Sequence, residues 1–268
     1  MLDSKRMVHD FWNQASCGEV LYLDGCTQEA YRMQAERRYA LEPIIRDFAE
    51  FHLYRDKDVL EIGVGLGAEH QQFAEAGAKL KGIDLTERAI LHTTARLKTF
   101  GLESELQTAD AENLPYLSDS FDLVYAWGVL HHTPNTAQSV MEVYRVLKPG
   151  AEAKVMIYHK YSMVGYLLWV RYALLKLRPF TLLATIYDQY LESPGTKAYS
   201  IREAEILFQS FATVEIQTLL MHGDLLDSEV GQRHRGFLLT MVRRIWPRRL
   251  IKTLLRSHGL FMLIRATK

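Results

Sequence analysis

The chain has 268 residues, enough for one large domain or a domain with an insertion, and for a sizeable buried core. Its 32 basic and 32 acidic residues cancel to a formal net charge of zero, which removes any bulk-charge argument for nucleic-acid binding. Two cysteines, Cys17 and Cys26, come without a C-x-x-C pair or a His/Cys cluster, so no metal site is expected and free thiols in a reducing compartment are.

In chain order, Met1-Leu2-Asp3-Ser4-Lys5-Arg6 leads into polar sequence with no apolar signal core, and a cytoplasmic protein is expected. Residues 1–50 read as two or three helices, with Phe11-Trp12 and Tyr22-Leu23 as aromatic anchors. From Tyr31 to Phe51 the apolar residues Tyr39, Ile44, Ile45 and Phe48 form a stripe, while Glu36, Arg37, Arg38 and Arg46 fall mostly outside it. Pro43 predicts a kink or break there.

Residues 58–158 alternate strand and helix, which implies a parallel sheet. Strands are expected near 58–62, 79–83, 104–108, 121–126 and 151–158, and helices near 66–76, 86–100 and 135–147. Gly101 stops the second of these helices, and Lys148-Pro149-Gly150 reads as a turn. The organising stretch is Asp58 to Gly67, in which an apolar run ends in Glu61 and is followed by Gly63, Gly65 and Gly67. Such glycines permit positive φ and let a ligand touch backbone. Asp84 ends the second strand, where an acid accepts hydrogen bonds from both ribose hydroxyls of a nucleoside.

Two cofactors compete for this loop. Gly63, Gly65 and Ala68 satisfy a loose dinucleotide pattern, which keeps an NAD-dependent oxidoreductase open. Glu61 favours S-adenosyl-L-methionine, because an acid there repels a pyrophosphate and attracts an ammonium group. The early third glycine and Asp110, placed after the third strand to bind an adenine amino group, point the same way.

With these motifs the chain resembles the class I S-adenosylmethionine-dependent methyltransferases. The resemblance also rests on Phe121 to His132, a fourth strand with its loop, and on Val143 to Ala151, a helix-to-strand turn, and it runs from about residue 55 to residue 158. It implies a three-layer Rossmann-like α/β fold with a seven-stranded, mostly parallel sheet of order 3-2-1-4-5-7-6, the last strand antiparallel between the fifth and sixth. It implies a helical N-terminal lid over 1–50, set against the plainer reading that these helices only cover the sheet's edge. The remainder, 51–268, would be the methyltransferase domain with a cap insertion at about 160–200. It implies cofactor contacts from Glu61, Gly63, Gly65, Gly67, Asp84, Leu85, Asp110, Ala111 and Trp127. A protein that holds S-adenosylmethionine without turnover is the other alternative.

Beyond the shared core, Met163 to Leu177 is apolar on nearly every side but shorter than the roughly 20 residues of a spanning helix, so a core or cap helix is expected. Arg178-Pro179-Phe180 breaks it, Thr181 to Leu191 is helical again, and Glu192 to Ser200 is a polar turn before the capping box Ser200-Ile201-Arg202-Glu203. Strands are expected at 211–220 and 259–266. Between them Arg243 to Arg256 carries six basic residues and no acid. A solvated basic face over a packed apolar one is the default reading, and weak contact with an anionic membrane surface the alternative. The acceptor side of the site falls at the carboxyl ends of strands four and five. The catalytic candidates there are His159, His132 and Tyr158, with Tyr199 and His222 completing a pocket. A histidine titrates near neutrality and suits a general base, should an oxygen, nitrogen or thiol acceptor need one. The partner implied is a small-molecule or lipid-linked methyl acceptor.

Overall fold

The computed structural model describes residues 2–227 and 237–268, so Met1 and 228–236 lie outside the described residues. Four helices precede the sheet, where two or three were expected: α1 (Leu2–Gln14), α2 (Glu19–Tyr22), α3 (Gln28–Leu41) and α4 (Ile44–Ala49). The break between α3 and α4 falls at Glu42-Pro43, because proline offers no N–H and its ring clashes with the preceding turn.

Seven strands follow: β1 (Asp58–Ile62), β2 (Lys79–Asp84), β3 (Glu105–Thr108), β4 (Phe121–Trp127), β5 (Leu147–Tyr158), β6 (Thr213–Leu219) and β7 (Phe261–Thr267). They form one sheet of order β3-β2-β1-β4-β5-β7-β6, the order the resemblance implies. Every pairing from β3 to β5 is parallel, and β7 is antiparallel to both β5 and β6. Successive side chains enter opposite layers. Val59, Leu123, Tyr125 and Met156 join one core, while Leu60, Ile62, Val124 and Val155 join the other. The helices between strands, α5 (Ala68–Glu75), α6 (Glu87–Phe100) and α7 (Thr136–Val146), cover these faces. Thr86 and Asn135 cap the N-termini of α6 and α7 with side-chain oxygens, and Gly101 ends α6 in the left-handed conformation.

Strand β5 is longer than expected. Residues 148–150, expected as a turn, fall inside the strand: Leu147 already pairs with Phe121, and pairing resumes at Glu152 with Leu123. These residues are therefore looped out of a continuous strand as a bulge. The cap is α8 (Met163–Tyr172), a short 3-10 turn at Leu174–Lys176, and α9 (Leu183–Tyr190). The expected single helix from 163 to 177 ends five residues early. Leu177 takes a left-handed conformation and closes that turn. Where α8 meets α9, a Cβ on Gly165 would lie 2.0 Å from the Tyr187 hydroxyl, so glycine sets the approach of the two helices. After α10 (Ile201–Leu207) and α11 (His222–Leu225), the basic stretch forms two helices, α12 (Phe237–Ile245) and α13 (Arg248–Leu254), broken at Trp246-Pro247. Among the described residues no helix is long and apolar enough to cross a membrane.

Candidate functional site

The carboxyl ends of β1, β2, β4 and β5 open onto a cavity of about 360 Å³. Helices α1 to α3 and the cap contribute the opposite wall. Gly63 donates its N–H to the Ile83 carbonyl at 2.7 Å, which fastens the glycine loop to β2. Its φ is +79°, and a Cβ there would lie 2.2 Å from Val129 Cγ2. Gly63→Ala is therefore expected to cost roughly 2–4 kcal/mol, a drop of roughly 5–10 °C in thermal midpoint for a chain of this size. A melting curve matching the parent would show that the loop does not need glycine there. Gly65 has φ +53° and no atom within 4 Å of its missing Cβ, so its backbone stays open to a ligand.

Asp84 sits at the end of β2 and organises the loop around itself. Its carboxylate accepts from Gly65 N at 3.2 Å, Thr86 N at 2.9 Å and Thr86 Oγ1 at 2.9 Å. Burial raises its pKa, and these donors oppose the rise. Glu61 is buried, and its Oε2 lies 2.9 Å from His70 Nδ1. Ser104 donates its hydroxyl to the Leu80 carbonyl at 2.8 Å, so its oxygen accepts from His70 Nε2 at 2.8 Å. That assignment leaves Nδ1 of the neutral ring as an acceptor and places the shared proton on Glu61. Both pKa shifts agree. Burial, then the neighbouring Glu69 and Asp84, holds Glu61 well above the usual carboxylate range, and burial pulls His70 down to about 3. Glu42, Glu61 and Glu69 lie around Arg38, which donates to Glu69 at 2.6 Å and lies 3.8 Å from Glu42, and the buried Arg96 also feels the Glu69 charge. The donor set fits a cationic ligand with a ribose, because these three acids outnumber Arg38 and Arg96 and Asp84 stands at the nucleoside position.

Eight of the nine expected cofactor residues line the cavity: Glu61, Gly63, Gly65, Asp84, Leu85, Asp110, Ala111 and Trp127. Gly67 does not. A Cβ there would meet Thr93 Oγ1 at 2.8 Å and Thr93 Cα at 3.2 Å, so it is glycine to let α5 start against α6. Asp110 is engaged by Lys5 of α1, which also bonds Glu112 at 2.9 Å. Trp127 donates Nε1–H to Glu42 at 3.0 Å.

The acceptor candidates separate. His132 and Tyr158 line the cavity, but His159 does not. The ring of His159 packs against Tyr161, and its Nδ1 lies 3.2 Å from the Gly259 carbonyl, where β5 meets the lead-in to β7. Alternation along β5 accounts for this, since a strand that turns Tyr158 to the cavity turns residue 159 the other way. Tyr199 bridges to His159 through backbone and also lies off the cavity, whereas His222 lines it. Tyr158 donates its hydroxyl to Glu192 Oε2 at 2.8 Å, and burial with that acid keeps the phenol protonated. His132 Nδ1 lies 2.9 Å from Ser193 Oγ and 3.1 Å from Thr196 Oγ1, both in the polar cap turn. Its Nε2 is 3.4 Å from Glu192 Oε2. His131 is buried with neither ring nitrogen partnered, stacks 4.0 Å from Tyr158, and is held neutral by burial.

Comparison with known proteins accords with this geometry. A family described as a methyltransferase domain matches residues 60–153. Over those residues the chain is similar to the class I S-adenosylmethionine-dependent methyltransferases. The matched domain and the fold imply S-adenosyl-L-methionine as the cofactor. Methyltransferase GfsG of Streptomyces halstedii is 34% identical over 100 residues, 36% of each chain. Norajmaline N-methyltransferase of Rauvolfia serpentina is 28% identical over 178 residues, 59% of this chain and 60% of that one. Ubiquinone biosynthesis O-methyltransferase of an Azoarcus species is 31% identical over 114 residues, 42% of this chain and 49% of that one. The match thus spans about a third to three-fifths of these relatives' length. Two solved structures share the fold of this chain. YcgJ of Bacillus subtilis has a TM-score of 0.54 at 17% identity, covering 86% of this chain and 98% of that one. A methyltransferase of Mesorhizobium loti has a TM-score of 0.52 at 17% identity, covering 84% and 96%.

The sequence reading missed Glu192, Ser193 and Thr196 as a support for His132, and it took Cys17 only as a free thiol. Cys17 is exposed and lines the cavity. The surrounding protein and then Glu192 push its thiol up to about 12, against formation of a thiolate. The polar turn Ser193-Pro194-Gly195-Thr196 was the only local signal, and nothing in it names His132 as its partner.

Proposed function

We propose that this chain transfers a methyl group to an oxygen, nitrogen or sulfur atom of a small-molecule or lipid-linked acceptor, in the cytoplasm. The observation that carries the reading is one cavity running from Glu61 and Asp84 to Tyr158, His132 and Glu192, with apolar walls from Val164, Leu191, Met221 and Phe261. Two of the relatives are named for N- and O-methyl transfer to small molecules, which supports the acceptor class.

When bound, S-adenosylmethionine supplies a methyl group already activated on a sulfonium. Asp84 would accept from the ribose hydroxyls, Glu61 would face the ammonium group, and Asp110 would take the adenine amino group in place of Lys5. Leu85, Ala111 and Trp127 supply apolar walls. His132 removes the acceptor's proton through Nε2, and Glu192 stabilises the imidazolium that results. Tyr158 orients Glu192 by donating to it. The closed apolar wall excludes water and strengthens each of these bonds. A screen of candidate acceptors for release of S-adenosylhomocysteine tests the reading, which fails if no nucleophile supports turnover while cofactor binds.

The N-terminal helices act as the lid. Lys5, Phe11, Trp12 and Cys17 line the cavity from α1 and the turn after it. Removing residues 1–22 is expected to weaken cofactor binding by about tenfold or more, since the ligand loses one wall and its preorganisation. Calorimetry on a truncated protein that melts cooperatively checks this, and unchanged affinity would reduce these helices to an edge cover.

A further inference from the structure

The chain's zero net charge hides a separation. No Asp or Glu occurs from 153 to 187 or from 230 to 268, and all 32 acidic residues lie outside these stretches. The first stretch contains α8, the 3-10 turn and the first half of α9, the second α12 and α13. They pack against each other: Met163 of α8 and Ile251 of α13 share a buried cluster, with Tyr166, Trp246 and Leu255 against it. Tyr166 also lines a shallow surface groove with Phe180 and Leu182, so the cap loop and α13 lie on either side of one tyrosine.

That joint surface is apolar where it is most exposed. Residues 174–180, Leu-Leu-Lys-Leu-Arg-Pro-Phe, are exposed without a break, Leu177 at 89% and Phe180 at 95%. On the other side of Tyr166, Ile245, Leu250 and Leu254 are exposed as well. Single exposed leucines are ordinary, but a run of them at the tip of a basic segment is not. Leu177 also holds φ +58°, a conformation glycine or asparagine adopts at lower cost. The chain thus keeps a large apolar side chain at a strained, solvent-facing tip. Among the described residues Arg178, Arg244, Arg249 and Lys252 make no ion pair.

We infer that this face docks onto a bilayer containing anionic phospholipid, with Leu177 and Phe180 entering the interface and the basic residues of the cap loop and α13 meeting the headgroups. Exposed aliphatic tips beside unpaired cations match the two components of a membrane interface, apolar below and anionic at its surface. A nucleic acid would meet the cations but leave the leucines unburied. The inference deepens the reading of a lipid-linked acceptor and rests on it for its meaning. The same cap supplies Val164, Leu191 and Glu192 to the cavity wall, which puts the lipid surface and the acceptor pocket on one element.

Co-sedimentation of the full chain with phosphatidylcholine vesicles, with and without phosphatidylglycerol, tests it. Binding is expected only with the anionic lipid, falling at least roughly fivefold from low to high salt. Leu177→Glu with Phe180→Glu should weaken partitioning by about tenfold or more. Leu177→Gly relieves the backbone strain and so keeps the fold, and it should also weaken binding. Affinity for S-adenosylhomocysteine should be unchanged in both, which separates failure of docking from failure of the methyltransferase reading. No partitioning of the parent protein, equal partitioning of the variants, or displacement from vesicles by short duplex RNA would each overturn the inference.

Discussion

Replacing His132 by alanine is expected to lower the rate of methyl transfer by about 10²-fold, the usual scale for loss of a general base. Cofactor affinity should stay within about twofold, because Glu61, Asp84 and Asp110 belong to other elements. The prediction follows from a division of labour within one ring. Ser193 and Thr196 hold Nδ1, and Nε2 remains beside Glu192. Glu192→Gln keeps an acceptor for the Tyr158 hydroxyl but removes the charge that stabilises an imidazolium, so a loss of about tenfold is expected. Single-turnover rates on an acceptor found by screening, with cofactor binding measured in parallel, check both. A His132→Ala enzyme at parental rate would mean that alignment alone suffices.

Asp84→Ala is expected to weaken cofactor binding by at least about tenfold. Each charged-acceptor bond to a ribose hydroxyl is worth roughly 1.5–3 kcal/mol, and two are lost. The substitution also releases Gly65 N–H and the two Thr86 donors, so part of the loss comes through the glycine loop. Asp84→Asn retains acceptors for those donors and should lose less. Equilibrium titration with S-adenosylhomocysteine distinguishes the three proteins, and equal affinity across them would place the ribose elsewhere.

The sheet and the cofactor end were legible because they are written locally. The apolar run into Glu61, the spaced glycines and the acid at position 84 each belong to one short segment, and strand alternation fixes where their side chains go. Gly67 shows the limit, since its partner, Thr93, lies on another helix and only packing reveals why glycine is there. The acceptor end was less legible. His159 directly follows Tyr158, the last residue of β5, and alternation alone would have placed them on opposite faces. The support for His132 comes from residues 61 and 64 positions later, a distance over which sequence pattern carries no signal. The Glu61–His70 pair was also unreadable, because its proton assignment depends on Ser104 and the Leu80 carbonyl.

That pair provides the most direct test of the central claim, that this cavity is built for a cationic nucleoside cofactor. Burial, Glu69 and Asp84 raise the Glu61 pKa, so part of the unliganded population carries a proton above the ordinary carboxylate range. A ligand ammonium favours the ionised form and expels that proton. Affinity should therefore rise with pH from the ordinary carboxylate range up to the raised pKa of free Glu61, and level off above it. Isothermal titration calorimetry with S-adenosylhomocysteine, in buffers of differing ionisation enthalpy, reads both the affinity and the protons released. The account predicts net proton release, its loss in Glu61→Gln, and no measurable binding of NAD, whose pyrophosphate meets the same acids. Tighter binding of NAD than of S-adenosylhomocysteine, or proton release that persists in Glu61→Gln, would contradict it.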